Sequence, residues 1–136
     1  MHRRHNLEPH ERTHPEGLAK IESHVKTFDL IFSAFVTCAK LLAAKGGQII
    51  NEWPTGCEYW RKPKVHKTFS KLGFDYTAHI HGCSLGLKSV VYPDQYIKKP
   101  WKLKATFAAL AEVFQHALCP GVSDEHGHTP CAGADT

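Results

Sequence analysis

The stretch Gly46-Gly47-Gln48-Ile49-Ile50-Asn51-Glu52-Trp53-Pro54 constrains this chain more than any other. The glycine pair stops a helix arriving from the N-terminal side, and Pro54 cannot extend a strand ladder. Residues 48–53 therefore form an isolated segment of strand length. Ile49 and Ile50 are adjacent and apolar, the pattern of a strand covered on both faces, so a central strand of an open α/β sheet is expected here. Ligands of such sheets sit at the carboxyl ends of strands, which is where Glu52 falls.

The flanking periodicities set out the remaining elements. Over residues 16–45, Leu18, Ile21, Val25, Phe28, Phe32, Phe35, Ala39 and Leu42 recur at steps of three and four, predicting a long helix with a largely covered apolar face. Pro15-Glu16 suits its first turn. Val65, Phe69 and Leu72 mark a short helix over 63–72 that ends at Gly73. Phe74, Tyr76, Ala78 and Ile80 alternate with polar residues, as do Trp101, Leu103 and Ala105. These read as half-exposed strands, and either 85–87 or 101–105 should pair antiparallel with 74–80. A last helix follows Thr106, whose hydroxyl is placed to cap it, with Phe107, Leu110, Ala111, Phe114 and Leu118 as its stripe. The organisation expected is a His/Arg-rich arm over 1–15, a half domain over 16–118 and a Cys/His-rich tail over 119–136.

Charge is unevenly distributed. Residues 61–104 hold ten Lys/Arg against Asp75 and Asp94, whereas residues 105–136 hold no Lys or Arg and four acids. A basic middle suits phosphate-bearing partners. Trp53, Tyr59, Trp60 and Arg61 cluster in sequence with Lys62, Lys64 and Lys67, and aromatic faces beside cations suit unstacked nucleic-acid bases. The alternative is that the tryptophans roof the sheet and the lysines solvate it. No unbroken apolar run reaches the roughly 18 residues of a membrane span, and the N-terminus has no signal-peptide core. An intracellular protein without membrane association is expected.

The five cysteines are odd in number and widely spaced, which argues against a secreted disulfide framework. After Val122 the tail is nearly devoid of apolar residues, so packing alone cannot order it. Cys119, His126, His128 and Cys131 offer two thiolates and two imidazoles for a tetrahedral zinc site, with His116 as a substitute ligand. The alternative is a polar tail with unconnected Cys and His. Glu52 is the candidate catalytic group. A buried carboxyl with a raised pKa could orient or protonate a base edge, whereas the structural alternative is pairing with Arg61 or a lysine. No Ser/His/Asp or Cys/His nucleophilic set is localised, although His79 and His81 lie near Cys83.

Glu52-Trp53-Pro54 and Gly82-Cys83-Ser84-Leu85-Gly86-Leu87 resemble the C-terminal half of a Rossmann-like DNA methyltransferase of the C5-cytosine type. Gly46-Gly47, Glu52-Trp53-Pro54, Cys57-Glu58-Tyr59-Trp60, Lys99-Pro100-Trp101 and the tail from Cys119 to Cys131 resemble methyltransferase-like proteins of phage and microbial-eukaryote type. The resemblance spans about residues 16–135, in short motifs. It implies an α/β fold with a partial Rossmann-like sheet, a glutamate contacting a flipped cytosine, and a nucleic-acid partner. The departures are large. The family's Pro-Cys nucleophile motif precedes the glutamate strand, and no such pair lies ahead of Glu52. The glycine-rich cofactor turn is absent too, so S-adenosylmethionine would bind only if a partner chain completed the sheet and supplied the missing half. The resemblance thus implies a methyltransferase-related fragment without catalysis of its own. The reading from another class is a non-catalytic, zinc-stabilised module that binds nucleic acid or protein.

Overall fold

A computed structural model describes residues 14–131. The arm expected over 1–15 falls almost wholly outside the described residues, as do residues 132–136. The chain divides into two compact units, Met1–Leu41 and Leu42–Thr136.

Helix α1 spans Pro15–Ala44, close to the predicted bounds. Pro15 occupies the first turn, where a missing N–H costs nothing, and Glu16 faces the positive end of the helix dipole. The stop is the expected one. Gly46 takes φ +70°, Gly47 N donates to Leu42 O at 2.8 Å and Gly46 N to Ala43 O at 3.0 Å, the paired bonds of a Schellman terminus. One expectation needs correction. Leu18, Leu30, Ile31, Leu41 and Leu42 are exposed rather than covered. Apolar residues occur all round this helix, and it contains a stretch whose mean hydropathy of 1.6 makes it long and apolar enough, by composition alone, to cross a membrane. Counting only unbroken apolar runs concealed this, because isolated charged residues interrupt the run without lowering the mean far.

The second unit is a mixed helix and strand arrangement around a small three-stranded antiparallel sheet. Its strands are β1 (Ile50–Pro54), β2 (Tyr76–His81) and β3 (Pro100–Ala105), in the order β1-β3-β2. The predicted pairing of 101–105 with 74–80 is realised, with Ala78 opposite Leu103 and Ile80 opposite Trp101. The central strand, however, is β3, and β1 pairs only through Ile50↔Ala105 to Pro54↔Trp101. The Ile49-Ile50 doublet misled because its two members differ: Ile49 is 8% exposed and Ile50 47%. Adjacent apolar residues on an edge strand thus lie on opposite faces, one covered and one wet. Every pairing in this sheet is antiparallel. β1 and β2 run parallel to each other with β3 between them.

Each sheet face has its own cover. On one, Ala78, Ile80, Leu103 and Ala105 pack with Leu110 and Ala117, flanked by Trp101, Phe107 and Phe114. Helix α3 carries Leu110, but it is only Ala109–Val113, much shorter than the predicted stripe. Thr106 does not cap it. Its Oγ1 accepts Ile49 N at 3.0 Å, and its own N donates to Ile49 O, so the residue prolongs the β1–β3 contact instead. On the other face Trp53 meets Trp60 and Phe69 at ring separations of 4.7 and 5.9 Å. Helix α2, Pro63–Lys71, closes this side with buried Val65 and Phe69. It ends as α1 does: Gly73 has φ +73°, Phe74 N donates to Phe69 O and Gly73 N to Ser70 O. The rings of Phe69 and Phe74 stack at 4.6 Å, the apolar contact that accompanies this terminus.

Candidate metal centre

Strand β2 ends at His81, and the chain turns at once through a 3₁₀ turn, Gly82–Leu85. Gly82 is buried, and a side chain there would come within 2.6 Å of Leu87 Cδ2 and 3.1 Å of Ile97 O, so the Leu87 side chain would have to shift to admit one. Its N–H donates to Lys98 O at 2.7 Å. This turn places Cys83 in a buried position just beyond the strand.

Cys119 is brought to it by the segment after α3. His81 N donates to Ala117 O at 2.8 Å, and the Ser84 hydroxyl lies 2.7 Å from both His81 O and Ala117 O. Cys119 N donates to His81 Nδ1 at 3.0 Å. That nitrogen therefore carries no proton, and a neutral His81 has its proton on Nε2. The tail then reverses, with His126 N donating to Ser123 O, and runs beside Tyr96: Tyr96 N donates to Gly127 O at 2.8 Å and Thr129 N to Tyr96 O at 2.9 Å. The His126 ring stacks on Tyr96 at 4.4 Å, and Lys88 Nζ lies 4.9 Å from the Tyr96 ring centre.

The outcome is a group of four potential ligands, Cys83, Cys119, His126 and His128, whose ligand atoms all lie within 4.8 Å of one another. Cys119 Sγ is 3.8 Å from His126 Nε2 and 3.5 Å from His128 Nε2. The cluster can hold a metal ion. Burial, followed by the hydrogen bond and charge of Cys119, pushes the Cys83 thiol above its ordinary range, against a smaller opposing effect of backbone N–H groups. Burial, then His126 and Lys98, lowers His128. Burial, then Lys98, His79 and His128, lowers His81. For His128 the shift favours the neutral imidazole, the form that ligates, while the thiols would surrender protons to a cation. Gly121 N donates to Cys119 Sγ at 3.4 Å.

Three of the four tail residues expected as ligands are therefore gathered, and the fourth is exchanged. Cys131 is half-buried but outside the cluster, as is the exposed His116. Cys83 takes the place of Cys131. The described cysteines form no disulfide. No local signal in the sequence singles out Cys83, which 35 intervening residues separate from Cys119.

The other expected site residues are dispersed. Glu52 is exposed in the middle of edge strand β1, opposite Leu103. It lies two strand spacings, about 10 Å, from the strand that leads into the cluster. Arg61 pairs with Glu58 at 3.4 Å. Tyr59 and Trp60 are 5% and 7% exposed, and together with Trp53 they form the aromatic cover of the sheet. These contacts match the alternative in which the tryptophans roof the sheet, with buried Tyr59 beside them. Lys62 is half-buried at the start of α2, whereas Lys64 and Lys67 are exposed on it. One Pro-Cys pair exists, Pro130-Cys131, far downstream of every strand. A scan against family models finds no match to this chain, and searches of curated proteins and of solved structures find none either.

Proposed function

We propose that the chain is a non-catalytic binding module whose tail is stapled by structural zinc and whose lysine-rich surface engages nucleic acid. One observation carries the reading: two sulfurs and two imidazole nitrogens, from segments far apart in sequence, converge on one point. Zinc bonded tetrahedrally at about 2.3 Å to sulfur and about 2.0–2.1 Å to nitrogen sets sulfur–nitrogen edges of about 3.5–3.6 Å. The two edges from Cys119 measure 3.5 and 3.8 Å, near those values, and the other separations lie within 4.8 Å. Four protein ligands leave no open position, which favours a structural role over a catalytic one. Cysteines kept as free thiols suit a reducing compartment, so the reading assigns the chain to the cell interior.

The nucleic-acid part rests on Lys64, Lys67 and Lys71. They follow one another at steps of three and four on α2 and are all exposed, so they present one cationic stripe. Such a surface binds phosphates with little sequence preference and a steep salt dependence. The methyltransferase resemblance adds no residue to this reading, and S-adenosylmethionine has no part in it.

The test is elemental analysis of protein purified without chelator, alongside titration with a single-stranded oligonucleotide at several salt concentrations. One zinc per chain, lost in Cys83→Ser and Cys119→Ser but kept in Cys131→Ser, is the expected result. Absence of metal at neutral pH, or a salt slope unchanged by Lys64→Gln/Lys67→Gln, would refute the corresponding half.

A further inference from the structure

On the sheet face away from α3, α2 stands off β3 and leaves a cavity of about 340 Å³. Trp60 and Phe69 supply its apolar wall, and Lys102, Lys104, His66 and Asp75 its polar one. His66 and Asp75 are exposed, so the cavity opens to solvent on their side.

The two lysines are the unusual feature. They alternate with buried Leu103 on β3 and therefore share a face, at Cα positions about 6–7 Å apart. Lys102 Nζ lies 4.8 Å from the Trp60 ring centre. Lys104 Nζ donates to Phe74 O at 3.2 Å. Both side chains are half-buried, and neither forms an ion pair with a carboxylate among the described residues. The lining holds a single acid, Asp75, against two ammonium groups. Each ammonium has three donors, so at least two on each remain for a ligand. Partly desolvated cations held side by side attract an anion more strongly than surface lysines do.

The volume and the apolar wall define the remainder of the ligand. About 340 Å³ falls within the range of small-molecule sites, roughly 300–1,000 Å³, and exceeds what a bare phosphate fills. A flat apolar body joined to a phosphate matches both walls.

We propose that this groove binds a nucleotide, its phosphate held between Lys102 Nζ and Lys104 Nζ and its base laid on the Trp60 face that Lys102 now covers. The choice of a nucleotide over other organic phosphates rests on the nucleic-acid reading above; the groove itself needs no metal. The flexible Lys102 stem lets its ammonium leave the Trp60 ring for the phosphate, freeing that ring face for the base.

The experiment is calorimetric titration of the full chain with adenosine monophosphate, with inorganic phosphate, and with a 5′-phosphorylated oligothymidylate of about eight residues. The variants are Lys102→Gln, Lys102→Gln/Lys104→Gln, Lys102→Arg and Lys64→Gln/Lys67→Gln. Adenosine monophosphate should bind more tightly than inorganic phosphate and lose at least about tenfold in affinity in Lys102→Gln. Lys102→Arg should retain affinity to within a few fold, and Lys64→Gln/Lys67→Gln should leave mononucleotide binding unchanged. Lys102→Gln is informative even if the double variant fails to fold, because it leaves the ladder backbone and the Lys104 Nζ bond to Phe74 O in place. Mononucleotide binding without oligonucleotide binding supports the groove and sinks the nucleic-acid reading. Oligonucleotide binding that depends on Lys64 and Lys67, with no mononucleotide binding, does the reverse. Equal affinity for inorganic phosphate and the mononucleotide, or an undiminished affinity in Lys102→Gln, overturns the proposal.

Discussion

The two ends of the second unit are held by different physics. Around α2 the chain is rich in rings: Trp53, Tyr59, Trp60, Phe69 and Phe74 touch in series at centroid distances of 4.6–6.0 Å. Around the tail, Val122 is 76% exposed and Leu118 51%, and the segment is positioned by backbone hydrogen bonds and one convergent set of ligand atoms. Apolar burial stabilises by about 25 cal/mol per Å² wherever it occurs, so the aromatic end can stand without outside help. The tail has no comparable area to bury. On the proposed reading a metal supplies there what packing lacks, as in other small, core-poor segments.

This contrast is open to direct attack, and the largest effect should come from the metal. Chelation of the purified chain, or Cys83→Ser, should release zinc and abolish hydrogen-exchange protection of the tail amides at Cys119, His126 and Thr129. Structural zinc sites contribute on the order of 10 kcal/mol in small domains, so the loss should be complete. Near-ultraviolet circular dichroism from the aromatic end should persist. Simultaneous collapse of both signals would show that the two ends are one cooperative structure.

The converse variant is Phe69→Ala. Removing a buried ring costs about 3–5 kcal/mol, which urea unfolding followed by tryptophan fluorescence would measure. Metal content per folded chain should stay constant, and a fall in zinc stoichiometry would break the separation of the two ends.

A smaller loss is expected from Gly73→Ala. The site has φ +73° and open space around it, so strain rather than collision is the cost, about 1–2 kcal/mol. The effect should appear at the aromatic end only, because this terminus positions Phe74.

The pH dependence sharpens the other end. His81 and His128 have lowered pKa values in the metal-free fold. As pH falls through their unfolded range, near 6.5, the unfolded chain binds protons before the folded chain does. Stability then declines toward acid, because the unfolded state holds more protons. Zinc should magnify this trend, since protonation of thiolates and imidazoles competes with the ion. Urea midpoints measured at stepwise pH, with and without chelator, should both fall on acidification, the metal-loaded series more steeply. A midpoint that rises toward acid would reverse the assigned sign.

The smallest effect is expected from Cys131→Ser, and it separates the ligand set suggested by the tail alone from the one formed in space. Zinc stoichiometry should not change. Loss of the ion in this variant, with retention in Cys83→Ser, would restore Cys131 as the ligand.

Helix α1, helix α2, strand β2 and strand β3 were legible in the sequence because their signals are local. Steps of three and four, alternation, and the glycines at 46 and 73 operate over a few residues and need no distant partner. Three of the metal-cluster residues were legible for the same reason, since they lie within ten residues of one another. The tertiary structure alone decided that β3 is central and β1 an edge, that Trp53, Tyr59 and Trp60 roof the sheet, and that Cys83 joins Cys119. Strand order depends on which long-range ladder forms, and neither edge nor centre is marked in an apolar doublet such as Ile49-Ile50. Cys83 reaches the tail only because β2 pairs with β3 and His81 receives Cys119 N. That juxtaposition belongs to the sheet and its connections, and no spacing within the chain encodes it.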